Sequence, residues 1–301
     1  MDRTYEELLE ENRRLAEENK RLNDEYDKLG QMYDDLSLSY EDALMMYDRA
    51  KESIRIESEL EVASDIQMSM IPKKFPESLD IDLYASISPA KEVGGDLYDF
   101  FLKDDTLYFC IGDVSGKGVP ASLLMTVTTS QFRTVSRYLS QPDEMMMAIN
   151  NQIAEGNNTH MFVTMFIGCL DLQTGHLAYC CGGHTPPILI DSEVKGLPVA
   201  FKLPVGAIKG MKYVLQETEI APGTTLFLFT DGLTEAMDAG FNMFGDDKLK
   251  EVAQSLITEG KYTPESLIGR LTDAVGAFVD GAPQSDDLTM LAIQYKGHES
   301  L

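Results

Sequence analysis

The sequence is short of basic residues, and this shortage excludes two classes of partner. Its 301 residues contain 25 Lys and Arg against 50 Asp and Glu, which gives a formal net charge of −25. Nucleic-acid binding requires a basic face, and docking on anionic membranes requires basic clusters. We therefore expect neither a nucleic acid nor a membrane as the partner. The hydrophobic content of 44% is enough for a packed core.

Long apolar runs and clustered cysteines are also missing. No stretch approaches the roughly 18 apolar residues of a membrane span, and no apolar signal segment stands at the N-terminus. Cys110, Cys169, Cys180 and Cys181 have the spacing of neither a zinc motif nor a disulfide framework. Three of the four fall in apolar runs where buried thiols are common, and a redox-active Cys180–Cys181 pair is the weaker alternative. These absences predict a cytoplasmic protein.

Residues 1–62 contain no proline and carry a repeat of seven residues. Tyrosine or asparagine lies three positions before each leucine of the repeat. The leucines are Leu8, Leu15, Leu22, Leu29 and Leu36. A sustained period of seven indicates a left-handed coiled coil, here a parallel homodimer, with a lone solvated helix as the alternative. Because the register fades near residue 55, we assign 1–55 to a dimerisation helix and 56–78 to a connecting switch helix and linker.

Residues 79–297 form a region of short apolar strands and two blocks of helices. Strands are predicted at 83–87, 107–111, 161–170, 177–181, 188–190, 225–229 and 288–295. Helices are predicted at about 119–138, 142–155, 246–257 and 264–280. Strands and helices that come in blocks favour an α+β fold with stacked sheets over a doubly wound sheet.

Four aspartates stand where an apolar run meets a turn of small or polar residues. They are Asp96, Asp113, Asp231 and Asp286. A carboxylate at such a junction is tolerated when it is solvated or paired with a cation, and several strand ends can converge on one spot. Oxygen ligands without nearby histidine or cysteine suit two Mg²⁺ or Mn²⁺ ions, which together promote hydrolysis of phosphate esters. An ordinary turn aspartate is the alternative for any single member of the set.

Several short motifs follow one another in a fixed order along the second part of the chain. The motifs are ELEVA (59–63), VGGDLYD (93–99), GDVSGKGVPA (112–121), GHTPP (183–187), FTDGLTEA (229–236), FG (244–245) and DDLT (286–289). Each is weak alone, but in this order over residues 57–296 they resemble the bacterial branch of the PPM family of metal-dependent Ser/Thr protein phosphatases, the SpoIIE and RsbU type. This resemblance implies an αββα sandwich with a metal site at one end, between the two sheets.

The resemblance also implies a role for each aspartate. Asp113 would bridge both ions, Asp231 and Asp286 would complete the shell of one, and Asp96 with the backbone carbonyl of Val114 would serve the other. Hydrolysis would proceed without a covalent phosphoenzyme.

Four further residues are accessory candidates. Asp287 resembles a residue that contacts the metal ligands without binding the metal itself. Glu235 would bind a third ion or orient water, or else complement a helix dipole. His184 would protonate the leaving serine oxygen, or else hold a turn. Lys117 would contact phosphate, or else simply face solvent.

Through the same resemblance, the sequence predicts a protein serine/threonine phosphatase. Its expected substrate is a phosphorylated protein of the STAS-type anti-sigma-factor antagonist class, in bacterial stress or developmental signalling. The coiled coil would control its activity. The alternative is a non-catalytic scaffold of the same fold that binds a phosphoprotein.

Overall fold

The computed structural model describes residues 4–200, 202–260 and 262–298. The chain divides into two compact units, one up to Leu60 and one from Glu61 onwards. Along the described residues, no helix combines the length and the apolarity that crossing a bilayer requires. The helices are α1 (Tyr5–Met70), α2 (Val119–Val135), α3 (Pro142–Ala154), α4 (Asp231–Thr234), α5 (Gly245–Glu259) and α6 (Pro264–Val279).

The part of α1 in the first unit is almost entirely exposed. Leu22 and Leu29 of the heptad repeat are 53% and 64% exposed. Exposed leucines in one register leave an apolar seam on a helix that is otherwise charged. The predicted helix is therefore confirmed, whereas its pairing with a second copy stays a prediction. The helix ends at Met70, just before Pro72, as the proline signal predicted.

The second unit contains two antiparallel five-stranded sheets. The strands are β1 (Ile81–Ser88), β2 (Leu97–Lys103), β3 (Thr106–Val114), β4 (Val163–Asp171), β5 (His176–Gly182), β6 (Ile188–Ile190), β7 (Val194–Gly196), β8 (Gln216–Glu219), β9 (Thr225–Phe229) and β10 (Leu288–Tyr295). The first sheet has the order β1-β10-β9-β6-β7, and the second has the order β2-β3-β4-β5-β8. Helices α2 and α3 pack on the second sheet and α5 and α6 on the first, so the predicted αββα arrangement is confirmed.

Strand β9 shows how the two hydrophobic cores are divided. Leu226 and Leu228 join the larger core, which combines both sheets with α2 and α3. Phe227 and Phe229 join the smaller core beneath α4, α5 and α6. Successive side chains of a strand point to opposite faces, so a fully apolar strand is buried on both sides. This explains why the run at 225–229 is apolar throughout and was recognisable as a strand.

Three strands were missed in the sequence. β2 follows Asp96 directly, in a segment that was interpreted as a turn, and β7 has only three residues. β8 contains the polar residues Gln216–Glu219 and lies at a sheet edge, where burial does not impose an apolar pattern. The four predicted globular helices are confirmed, and α2 ends at Val135 rather than near residue 138.

Candidate metal centre

The four aspartates lie at one end of the two sheets. Asp113 is the second-last residue of β3, and Asp96 immediately precedes β2. Leu97 pairs with Gly112 across these strands, which places Asp96 beside Asp113. In the first sheet, β9 pairs with β10, and each has an aspartate just beyond one end. The two sheets therefore bring together residues that are far apart in the sequence.

Asp113 interacts electrostatically with carboxylates from both sheets. Burial, followed by the charges of Asp231 and Asp286, raises its pKa to about 7. A hydrogen bond with the Asp96 side chain acts in the opposite direction. Burial disfavours the ionised form, and like charges that share a site disfavour ionisation of one another, so the elevated pKa of Asp113 reflects its place in a partly buried group of carboxylates.

Asp96 is the most deeply buried member, at 1% exposure. Burial, and then the charge of Asp113, raises its pKa well above the ordinary value. Its Oδ2 accepts a hydrogen bond from Thr230 Oγ1 at 2.8 Å, and Thr230 Oγ1 accepts one from the Thr289 N–H at 3.1 Å. Sequence reasoning missed Thr230. The available signal was its hydroxyl side chain at a position between the end of β9 and the candidate ligand Asp231.

Asp231 begins the single-turn helix α4, and Glu235 follows that helix. Burial, then the charges of Glu235 and Asp286, raises the pKa of Asp231. Glu235 is exposed and occupies the C-cap, where its N–H donates to the Asp231 carbonyl at 2.8 Å. The alternative that Glu235 complements a helix N-terminus is therefore wrong, because the helix ends before it.

Lys117 is the basic side chain in contact with the candidate centre. Its Nζ lies 2.8 Å from Asp286 Oδ2 and donates to the Ser285 carbonyl. Partial burial alone would lower the pKa of Lys117. The hydrogen bond with Asp286 and the charges of Asp286, Asp287 and Asp231 outweigh it, so the ammonium group keeps its charge. Asp286 thus has a cationic partner within the chain.

Asp287 connects the segments that carry the other aspartates. Its carboxylate accepts hydrogen bonds from the N–H groups of Gly95 at 2.6 Å and Ala90 at 2.8 Å. A Cβ atom on Gly94 would collide with this carboxylate, and one on Gly232 would collide with the Asp287 carbonyl. The glycines of the GGD and TDG motifs are required because backbone and carboxylate approach each other closely here.

His184 is buried at 2% exposure and contacts β4, the strand that pairs with the one carrying Asp113. Its Nδ1 is 3.0 Å from Thr164 Oγ1, and Thr164 pairs with Asp113 across β3 and β4. Burial lowers the pKa of His184 to about 4, so the ring is neutral near pH 7. A buried neutral imidazole is poorly suited to protonate a substrate oxygen, which favours the turn-holding interpretation.

The candidate centre offers carboxylate and carbonyl oxygens to a divalent cation. Among the described residues, no three histidine, cysteine, aspartate or glutamate side chains already form a closed ligand set for one ion. The chemistry nevertheless fits, because clustered carboxylate oxygens are the ligands that Mg²⁺ and Mn²⁺ prefer. Gly95 lies against the Val114 carbonyl, where a Cβ atom would be 3.1 Å from that oxygen. The segment from 94 to 96 thus lies close to the Val114 carbonyl as well as to the carboxylates.

Comparison with known proteins identifies the family. The family described as Stage II sporulation protein E (SpoIIE) matches residues 103–296, which is more than half of the chain. The chain belongs to the SpoIIE family. The resemblance predicted from the motifs is therefore confirmed, including its RsbU-like character.

Two curated relatives of this SpoIIE-family chain align over most of its length. Protein IcfG of Synechocystis sp. is 28% identical over 264 residues, which cover 78% of this chain and 41% of IcfG. Phosphoserine phosphatase RsbU of Bacillus subtilis is 24% identical over 249 residues, which cover 80% of this chain and 71% of RsbU. The chain thus spans less than half of the length of IcfG.

Solved structures share the fold. The SiaA-PP2C domain of Pseudomonas aeruginosa has a TM-score of 0.70 at 20% identity, covering 81% of this chain and 98% of that one. RsbX, solved in complex with magnesium, has a TM-score of 0.57 at 15% identity, covering 74% of this chain and 98% of RsbX. At these identities the likeness establishes the PP2C-like fold alone.

Proposed function

We propose that this chain is a metal-dependent protein serine/threonine phosphatase. The observation that carries the proposal is the position of Asp113. Its side chain forms a hydrogen bond with Asp96 beside the same sheet, and the charges of Asp231 and Asp286, beside the other sheet, raise its pKa. A cluster of this kind serves to concentrate cations at a point where a phosphate group must be bound. Membership of the SpoIIE family, and the name of the RsbU relative, support the same conclusion.

The proposed cofactors are two divalent cations, Mn²⁺ or Mg²⁺. Asp113 would bridge them, with Asp231 and Asp286 on one ion and Asp96 with the Val114 carbonyl on the other. Bound ions of this kind polarise a phosphoryl oxygen and lower the pKa of water. The magnesium in the RsbX structure supports this assignment by analogy.

The side chains around the aspartates have separate proposed tasks. Lys117 is 45% exposed and charged, so it can bind a phosphate oxygen while it remains beside Asp286. Glu235 is placed one turn after Asp231, where it would orient water. Asp287 and Thr230 would fix the ligands through the hydrogen bonds to Gly95 and Asp96. His184 would support the strand that carries Asp113.

The proposed substrate is a phosphorylated protein of the STAS-type anti-sigma-factor antagonist class, in stress or developmental signalling. Support comes from the SpoIIE and RsbU resemblance and from a solved relative that contains the RsbU and RsbW domains of Rv1364c from Mycobacterium tuberculosis, with 25% identity and a TM-score of 0.62. A non-catalytic scaffold would bind such a phosphoprotein without releasing phosphate.

Control through α1 is proposed from contacts at the C-terminal end of that helix. Gln67 Nε2 donates to the Gly94 carbonyl at 2.6 Å, and the Gly94 N–H donates to Gln67 Oε1 at 3.1 Å. Arg133 Nη2 of α2 donates to the Met70 carbonyl at 2.7 Å. A rotation of this segment would therefore move the backbone next to Asp96. Such coupling needs two states of the helix with different stabilities.

The control hypothesis is tested by deleting residues 1–50 and by replacing Leu22 and Leu29 with aspartate in the full chain. If the heptads form a homodimer that sets the switch helix, sedimentation will show monomers, and the Mn²⁺ dependence of turnover will shift. If the variants are monomers but keep their turnover and metal affinity, dimerisation does not control activity and the control hypothesis is refuted.

The catalytic proposal is tested with p-nitrophenyl phosphate in the presence of Mn²⁺. The wild-type chain should release p-nitrophenol, and Asp231→Asn should not. Asp273→Asn, an exposed aspartate on α6, is the matched control and should retain activity. Metal binding without hydrolysis of this ester or of any phosphoprotein would favour the scaffold.

A further inference from the structure

An apolar cavity of about 310 Å³ lies between α6 and the strands β1 and β10. Its lining is mainly hydrophobic, although the chain carries a net charge of −25. The main apolar lining residues are Ile87, Met237, Val275, Val279, Leu288 and Met290. Well-packed interiors leave few voids larger than a water molecule, and ligand pockets start at about 300 Å³. The cavity therefore has the size and character of a binding site rather than of a packing defect.

The cavity adjoins the candidate metal centre. Asp286 and Gly232, the residue after Asp231, both belong to its lining. Asp286 is also a member of the carboxylate cluster and contacts Lys117, so the cavity borders the cluster at this residue. A polypeptide whose phosphate reaches the cluster would bring its neighbouring side chains to the cavity mouth. Continuity with the candidate centre thus identifies the occupant as part of the same substrate.

The mouth of the cavity is held in shape by Gln284. Its Nε2 donates to the Ser88 carbonyl at 2.8 Å and to the Asp286 carbonyl at 2.7 Å. These bonds join the end of β1 to the segment that leads into β10, and all three residues line the cavity. A preorganised opening costs less conformational entropy when a ligand binds.

Gly276 of α6 leaves space in the cavity wall. No atom lies within 4 Å of the position that its Cβ would occupy. Glycine stabilises a helix less than alanine does. No neighbouring atom requires glycine at position 276, so its presence lowers helix stability without a steric reason. Gly269 of the same helix also has free space above it, but it does not line the cavity. The two glycines therefore form a matched pair for mutation.

We propose that the cavity binds an apolar side chain of the phosphoprotein, at a position flanking the phosphoserine or phosphothreonine. This inference rests on the phosphatase function proposed above. The occupant is apolar because a charged side chain would lose its hydration without gaining a partner on hydrophobic walls. The metal centre contacts the phosphate that all substrates share, whereas the cavity selects among the sequences around it.

The test uses the full chain and short phosphoserine peptides of alanine in which a single leucine is moved through the flanking positions. Gly276→Leu fills the cavity, Thr272→Leu fills it from a second lining position, and Gly269→Leu is the control. Turnover of each peptide is compared with turnover of p-nitrophenyl phosphate, which has no flanking residue. Fluorescence anisotropy measures peptide affinity independently of catalysis. Thermal denaturation of each variant checks that it is folded.

For the wild type, leucine at one flanking position should raise kcat/KM and affinity on the order of tenfold over the all-alanine peptide. Gly276→Leu and Thr272→Leu should lose this preference, while hydrolysis of p-nitrophenyl phosphate is unchanged. Gly269→Leu should retain both. A leucine preference that survives in the filled variants, or no preference in the wild type, overturns the subsite. Failure of the phosphatase function would appear differently, as no hydrolysis of p-nitrophenyl phosphate, and anisotropy would still report on the cavity.

Discussion

The regions around Asp99 and Asp96 bury a carboxylate in two different ways. Asp99 is 2% exposed, and Arg133 of α2 donates to both of its oxygens, at 2.5 Å and 3.3 Å. Asp96 is 1% exposed and, within the described residues, accepts a hydrogen bond from the Thr230 hydroxyl and has the carboxylates of Asp113 and Asp287, in place of a cation, as charged neighbours. A buried charge needs a partner of opposite sign. The chain supplies that partner at Asp99, whereas at Asp96 we propose that a metal ion supplies it.

The comparison also separates stability from activity. Burial raises the pKa of Asp99, and the hydrogen bond and the charge of Arg133 limit this rise without cancelling it. At Asp96 the neighbouring charge of Asp113 adds to the effect of burial. We therefore predict that Asp99 serves the stability of the fold, whereas ionisation of Asp96 becomes favourable when a cation binds beside it.

The largest expected effect is an opposite outcome of two isosteric substitutions: Asp96→Asn should lose activity but not stability, and Asp99→Asn should lose stability but not activity. Asp96→Asn should reduce Mn²⁺-dependent hydrolysis of p-nitrophenyl phosphate by at least about a thousandfold, since it removes an anionic ligand. The metal-free variant should melt no lower than the wild type, because a buried like charge has been removed. Asp99→Asn should lower the melting temperature and keep activity within a few-fold per folded molecule. Equal losses of activity in both variants would contradict the distinction.

Removal of Arg133 should cause the largest loss of stability. Arg133→Met leaves Asp99 buried without its cation, so we expect a loss of about 3 kcal/mol in the free energy of unfolding, with or without metal. Urea denaturation measures this loss. Arg137→Met, an exposed arginine just after α2, is the control and should change the value by less than about 0.5 kcal/mol. A similar small change in both variants would show that Arg133 does not stabilise Asp99.

Metal removal should expose a pH dependence at Asp113. Its folded pKa of about 7 lies above the ordinary value of 3.8, so the folded state binds more protons between these pH values. Its contribution to stability is thus complete below 3.8 and is lost as pH rises through about 7. We subtract the unfolding free energy of Asp113→Asn from that of the wild type, both measured in the presence of a chelator. This difference should fall by roughly 2 kcal/mol from about pH 5 to about pH 8. A flat difference would mean that Asp113 is ordinarily ionised.

The smallest expected effect concerns the hydroxyl that holds Asp96. Thr230→Val keeps the shape but removes the donor to Asp96 Oδ2, so apparent Mn²⁺ affinity should weaken about tenfold. Thr230→Ser retains the donor and should bind almost as the wild type does. If both variants bind Mn²⁺ alike, the hydrogen bond does not orient the ligand.

The sequence allowed the candidate ligands to be selected but not their partners. Asp113 and Asp231 were recognisable because each stands where an apolar strand gives way to glycine. Asp96 and Asp99 occur three residues apart in one motif, and their difference depends on Arg133, which lies 34 positions further along the chain. Contacts such as Gln67 with Gly94 likewise depend on how helix and loop pack. Local patterns contain no record of such tertiary pairs.

The same limit explains the interpretations that the structure changed. Glu235 was considered at a helix N-terminus because its distance from Asp231 equals one helical turn, but α4 has only four residues. His184 lies in a turn motif that gives no sign of burial, so the sequence left both of its roles open and the structure favours the turn-holding one. The αββα fold was predictable because strand runs such as 225–229 are apolar on both faces, whereas the polar edge strand β8 was not.

The most direct test of the metal centre is calorimetric titration of the chelator-treated chain with Mn²⁺, followed by the same titration of Asp113→Asn. We expect the wild type to bind two ions and Asp113→Asn to lose binding at both positions, because the proposed bridging carboxylate would be absent. Undiminished binding of Mn²⁺ by Asp113→Asn would contradict it.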